Sequence, residues 1–236
     1  QKITEEIIFS MIRHATSITG NSNLCLAGGV ALNCVANGKI KKQTNIKDIW
    51  IQPASGDAGG AIGSCLYFLY GEKKIKRDMK KNIQKYTFLG PSYSNEEIKH
   101  YLESYNFKFN QYKKDKAIEK VSEYLQNGMV IGLFQSKMEF GPRALGNRSI
   151  IGDPRLPDMQ KKMNLKIKFR ESFRPFAPAI LEEKVSEWFE LEDQSPYMLM
   201  TSTIKENHRI YPNNEDELLE GVKKINSIRS SVPAIT

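Results

Sequence analysis

Two stretches decide the fold class: Leu24-Cys-Leu-Ala-Gly-Gly-Val-Ala-Leu-Asn33 and Asp48-Ile-Trp-Ile-Gln-Pro-Ala-Ser-Gly-Asp57-Ala-Gly-Gly60. Each is a short apolar run that breaks into glycines, the pattern of a buried strand, a tight turn and the start of a helix. After the first, Leu32, Val35, Ala36 and Ile40 recur at helical spacing. After the second, residues 58–70 begin with small residues, become apolar and stop at Gly71, which predicts another helix. Upstream, Ile7, Ile8, Met11, Ile12 and Ala15 predict an amphipathic helix over residues 3–17. Strands separated by helices imply a layered α/β architecture.

The 236 residues carry a net charge of +8, and its location matters more than its size. Residues 71–90 hold 7 Lys/Arg against 2 Asp/Glu, and residues 135–174 hold 10 against 4, while the rest is near neutral or acidic. The first cluster, with no apolar period, reads as a solvated linker or an anionic-surface patch. The second is embedded among Gly, Pro and Phe. The chain has 3 cysteines, Cys25, Cys34 and Cys65, with no CxxC pair. A disulfide framework is excluded and a reducing compartment expected. No apolar run approaches the roughly 18 residues of a membrane span. The first residues carry Glu5 and Glu6 and lack an initiating Met, so they do not read as a signal peptide; the chain is expected to be part of a longer protein.

Beyond the linker, Ser94-Asn-Glu-Glu97 has the form of a capping box before Ile98, Tyr101, Leu102 and Tyr105 at helical spacing. Further helices are expected over 115–126 and 158–167 and around 182–189, with strands at 129–134, 176–181 and 196–204.

Three places can carry chemistry. Gly28-Gly29 lets backbone N–H groups approach a phosphate or nucleoside, although a tight turn alone has the same pattern. Asp57 stands where a strand gives way to a helix, the position at which open α/β sheets bind ligands. It can hold a metal or simply cap the helix. Gly59, Gly60 and Gly63 fit close helix packing or close approach to a nucleotide equally well. The histidines, His14, His100 and His208, are isolated in sequence. The third place is the densest: Lys137, Arg143, Arg148 and Ser149, then Lys166, Arg170 and Arg174, set among Pro142, Pro175 and Pro178 with few neighbouring acids. Guanidinium forks match phosphate and carboxylate oxygens, and prolines stiffen the loops that hold them. A plain basic face fits the composition too. Interleaved Phe140, Phe169 and Phe173 also admit base stacking.

Four segments carry a resemblance to a known family: LCLAGGVALNCVANGKI (24–40), IWIQPASGDAGGAIG (49–63), MEFGPRALGNRSIIGDPR (138–155) and FRESFRPFAPAILEE (169–183). The chain resembles the NodU/CmcH/TobZ family of O-carbamoyltransferases. The resemblance implies the closing portion of an actin-like ATPase-type domain over residues 1–71, a basic linker over 72–89, and a YrdC-like α/β domain over 90–236, shortened at its C-terminus. It implies that carbamoyl phosphate and ATP (with Mg2+) give a carbamoyl adenylate in the YrdC-like domain. The actin-like domain, with Fe(II) or another divalent metal in the complete protein, then passes the carbamoyl group to a substrate hydroxyl. By the same resemblance Asp57 matches a metal ligand, and Gly28, Gly29 and Asn33 match the adenosine-contacting motif, with Gly59 and Gly60 beside it. Arg143, Arg148, Ser149, Arg170 and Arg174, with Lys137 and Lys166, match the anion-binding catalytic stretches. The family's metal-binding histidines belong upstream of Gln1, so this part is expected to be incomplete for the transfer step. Partners are expected to be small molecules in the cytoplasm, with neither membrane nor nucleic acid among them; the sequence does not indicate an oligomeric state. A threonylcarbamoyl-adenylate synthase and an RNA-binding module are the alternatives.

Overall fold

The computed structural model describes residues 1–78, 86–191, 194–211, 220–221 and 227–236. It is a mixed α/β structure with small sheets, dividing into two compact units. Unit 1 comprises residues 1–91, 137–145 and 195–202; unit 2 comprises 92–136, 146–194 and 203–236. Residues 79–85 of the expected linker lie outside the described residues.

In unit 1, helix α1 (Lys2–Thr19) ends on Gly20, whose left-handed conformation lets its N–H reach the Thr16 carbonyl. Strand β1 (Asn23–Leu26) pairs in parallel with β2 (Asp48–Ile51), in the register Leu24 to Ile49 and Leu26 to Ile51. Phe9, Ile12, Ile40 and Ile46 form one buried cluster, against which Leu24, Leu26 and Ile49 of the strands pack. Ala31, Ile51 and Leu199 form a second. The stripe after β1 does not make one helix. It becomes a 3-10 turn (Gly29–Leu32), α2 (Cys34–Asn37) and α3 (Ile40–Gln43). Asn33 interrupts it, accepting the Ala36 N–H in its side chain as a helix cap. After β2 the chain turns through buried Pro53, Ala54 and Ser55 into α4 (Ala58–Tyr67), which continues as a π-helical turn to Glu72.

Unit 2 opens with α5 (Asn95–Ser104), and the capping box is complete: Ser94 Oγ accepts from Glu97 N and Glu97 accepts from Ser94 N. The same bonds hold the Glu97 carboxyl below its ordinary range. Helix α6 (Lys114–Gln126) leads to strand β3 (Ile131–Phe134), antiparallel to β4 (Arg148–Ile151). Helix α7 (Met159–Lys162) runs on as a π-helical turn to Ile167, and α8 (Val185–Trp188) follows a 3-10 turn. Met159, Met163 and Ala234 are the buried centre, with Val130, Ile150, Leu156 and Phe176 packed on them.

Two expected strands are absent from these places. Residues 176–181 contain Pro178, which cannot donate to a ladder, and pair with nothing regular. Residues 196–204 satisfy their backbone otherwise: Asn37 donates to the Leu199 carbonyl, and Thr201 N–H donates to the Cys34 carbonyl. Only Ile204 makes an isolated bridge, to Phe189.

Candidate functional site

Parallel strands point their C-terminal ends the same way, so β1 and β2 deliver Gly28-Gly29 and the Pro53–Asp57 turn to one edge of unit 1. Gly28 has φ +92, and a Cβ on either glycine of the pair would meet nothing within 4 Å, so the turn is open. Gly59 is different: a Cβ there would run into the Ala54 carbonyl, and close packing accounts for it. Gly60 and Gly63 face open space. Asn33 is occupied as the α2 cap and also exchanges hydrogen bonds with Gln1 at 3.1 and 3.2 Å.

Asp57 is exposed at the head of α4, yet its side chain makes no capping hydrogen bond. Among the described residues no group of three or more His, Cys, Asp or Glu is arranged to hold a metal ion. One carboxylate does not make a metal centre, and these residues do not fit one by themselves.

A remote segment joins this edge. Residues 137–145 belong to unit 1, where Met138 exchanges backbone hydrogen bonds with Gly90 and Pro91, and Phe140 N–H donates to the Thr87 carbonyl. Gly141, at φ +116, lies so close to the β2 turn that a Cβ would sit 3.3 Å from Ala54 Cβ. Glu139 is 3% exposed, and its Oε1 accepts the Leu145 N–H at 2.6 Å, closing the loop that carries Arg143. The Nε of half-buried Arg143 makes no hydrogen bond, while the residue keeps other interactions. Lys137 is exposed.

Unit 2 holds the other basic residues. Arg148 and Ser149 start β4; Ser149 Oγ accepts from Gly146 N at 2.9 Å. The loop of Arg170 and Arg174 is built on Asn164, which is completely buried. Asn164 Nδ2 donates to the carbonyls of Ser172 (3.0 Å) and Arg174 (2.8 Å), and its Oδ1 accepts from Arg170 Nε at 2.6 Å. The Arg170 guanidinium lies 4.9 Å from the Phe176 ring centre, a cation–π contact. Lys166 is exposed on the π-helical turn that precedes this loop.

The expectation of arginines with few acids nearby needs correction. Arg174 Nε bonds Glu171 at 2.8 Å, and Arg155 forks onto the buried Asp153, with Nη2 to Oδ2 at 2.6 Å. Each acid lies only two or three residues from its arginine, so a turn suffices to join them. The Arg155 hydrogen bond holds the Asp153 carboxyl below its usual range, and Arg174 does the same for Glu171. Sequence reasoning quoted Glu139 and Asp153 without assigning them roles, and passed over Asn164. The available signal was an amide at position 164 beside the buried methionines of an otherwise periodic helix.

Two family models match this sequence: one described as the carbamoyltransferase N-terminus, over residues 1–66, and one as the carbamoyltransferase C-terminus, over 122–236. The chain belongs to the carbamoyltransferase family. It is 48% identical, across 100% of its length, to 39% of an uncharacterized protein of Synechocystis. It is 40% identical to the nodulation protein NolO of Bradyrhizobium diazoefficiens, over 87% of this chain and 38% of that protein. Its identity to the nodulation protein NolNO of Sinorhizobium fredii is 37%, over 89% and 31% respectively. It thus spans well under half the length of these relatives.

Proposed function

We propose that this carbamoyltransferase chain takes part in ATP-dependent transfer of a carbamoyl group to a hydroxyl, with residues 90–236 as a YrdC-like activating region, 72–89 as linker and 1–71 as the closing part of an actin-like transfer region. Carbamoyl phosphate is hydrolysed to carbamate and phosphate. A carbamate oxygen attacks the α-phosphorus of ATP, pyrophosphate leaves, and carbamoyl adenylate forms. The acceptor hydroxyl then loses its proton as its oxygen attacks the carbamoyl carbon, and AMP leaves.

What supports this reading most is that cationic side chains sit on turns fixed by buried groups, Glu139 beneath Arg143 and Asn164 beneath Arg170. Fixed guanidinium groups offset the repulsion between triphosphate and carbamoyl phosphate, and they stabilise charge growing on the leaving pyrophosphate. In unit 2, Arg148, Arg170 and Arg174, with Lys166 and the Ser149 hydroxyl, are assigned to these anions; Arg143 and Lys137, in unit 1, are assigned to anion binding by the family resemblance. Gly28 and Gly29 are assigned to the adenosine side of the transfer region because their turn is open to a ligand. We place the reaction in the cytoplasm on the sequence, whose 3 cysteines form no CxxC pair and no even-numbered framework.

The test is carbamoyl-phosphate-dependent exchange of pyrophosphate into ATP by the intact protein. Arg148→Ala and Arg143→Ala are each expected to slow exchange on the order of 100-fold. Exchange at the unaltered rate in either variant counts against that arginine, and in both against the reading.

A further inference from the structure

Among the described residues Phe169 is the most exposed large apolar side chain, at 86%, and its backbone is left-handed at φ +48. That conformation is sterically unfavourable for a bulky L side chain, and such strain persists only where the surroundings impose it. The surroundings here are explicit. Lys168 N–H is fixed on the Met163 carbonyl and Arg170 N–H on the Asn164 carbonyl, so the residue between them has no slack. Asn164 then ties the far side of the loop through Ser172 and Arg174. The phenyl ring is therefore presented to solvent by a rigid frame.

Its neighbours define what it meets. Lys166, Lys168, Arg170 and Arg174 lie within five residues of the ring, against a single acid, Glu171, which pairs with Arg174. Arg170 is turned back over Phe176, which leaves the Phe169 ring with no aromatic partner of its own among the described ring contacts. A bare aromatic face amid cationic side chains suits a ligand with both a flat π surface and several phosphates. We propose that Phe169 is a nucleobase-stacking residue and that Asn164 positions it. This rests on the reading above that the loop handles ATP, and it adds the contact that distinguishes a nucleotide from any other polyphosphate.

Calorimetric titration of the intact protein with MgATP, inorganic tripolyphosphate and a single-stranded oligouridylate tests it. Phe169→Gly is expected to weaken MgATP on the order of 5- to 100-fold while leaving tripolyphosphate within about twofold. Phe169→Tyr keeps the ring and should keep ATP affinity. Because glycine relieves the left-handed strain, Phe169→Gly should also melt about 1–3 °C higher, a gain that a structural role for the ring would reverse. Unchanged ATP affinity in Phe169→Gly, with tripolyphosphate still bound, overturns the stacking role and leaves the phosphate reading intact. Failure of the unaltered protein to bind either phosphate ligand overturns both. Oligouridylate binding tighter than ATP and lost in Phe169→Gly assigns the ring to RNA instead.

Discussion

Both units close a basic loop on a buried polar side chain, Glu139 in unit 1 and Asn164 in unit 2, but the β1–β2 edge of unit 1 adds a different device. There the turns around the strand ends depend on missing side chains. Gly59 packs on the Ala54 carbonyl, Gly141 on Ala54, and Gly38 against the backbone of Thr201. In unit 2 the loops depend on buried polar side chains that are present: Asn164 beneath residues 170–174, and Asp153 beneath Arg155. Close backbone approach tolerates no added atom, whereas a buried amide tolerates no deletion. The β1–β2 edge should therefore fail on enlargement and the 170–174 loop on truncation.

The largest effect is expected at Asn164. Asn164→Ala empties a fully buried position and removes the side-chain donor to the Ser172 carbonyl, the acceptor of Arg170 Nε and one of the two side-chain donors to the Arg174 carbonyl, which keeps Gln160. With each lost partner costing about 1–3 kcal/mol and some relaxation of the loop, a net loss of about 2–4 kcal/mol is expected in denaturant unfolding. A loss under about 1 kcal/mol would show that the loop holds itself, and the contrast between edge and loop would collapse.

Next comes Gly38→Ala in unit 1. An ideal Cβ there would collide with the Thr201 carbonyl oxygen and lie 3.0 Å from its nitrogen. Backbone must shift, so segment 195–202 is expected to detach from α2 at a cost of about 1–3 kcal/mol. The T-shaped pair of Trp50 and Tyr197, with ring centres 6.4 Å apart, gives a local readout in tryptophan fluorescence. Emission from Trp50 unchanged by the substitution would argue that the strand edge does not need that segment.

Asp153 supplies a smaller, pH-dependent effect. Its carboxyl is held below its ordinary value chiefly by the Arg155 hydrogen bond, so the unfolded chain takes up a proton before the folded one does. The stability this contributes is present above the unfolded value near pH 4, and it is lost as pH falls through the lower folded value. Asp153→Asn should cost about 1–2 kcal/mol at pH 7 and flatten the acid limb below pH 4. An unaltered acid limb would move the acid sensitivity to other carboxylates.

These contrasts also mark what the sequence could reveal. Helix α1 follows from Ile8, Ile12 and their periodic neighbours, and α5 from Ser94 and Glu97, because local spacing fixes both. The two parallel strands were equally plain. The division of residues 29–43 into three short pieces was not, since it turns on Asn33 capping and on Thr201, which lies 163 positions beyond Gly38 in the numbering. Strand β4 was missed because Arg148-Ser-Ile-Ile is short and sits inside a motif read for its arginines. For the candidate site, residue types were legible and their supports were not. Glu139 and Asn164 look like ordinary polar positions until long-range packing buries them.

The smallest stability effect is expected at Asp57, and that smallness is informative. Its position at the head of α4 suggested a cap, but the side chain makes no capping bond and stands in solvent. What remains for the fold is the attraction between a carboxylate and the helix N-terminus, which is weak at an exposed site. Asp57→Asn keeps the shape and removes the charge, so unfolding should change by no more than about 0.5 kcal/mol. If the carboxylate serves chemistry, the same substitution in the intact protein should lower carbamoyl transfer far more than it lowers stability, with adenylate formation unaffected. A stability loss above about 1 kcal/mol with transfer intact would return Asp57 to the fold. It would also make the β1–β2 edge resemble the 170–174 loop, with a polar side chain carrying the turn.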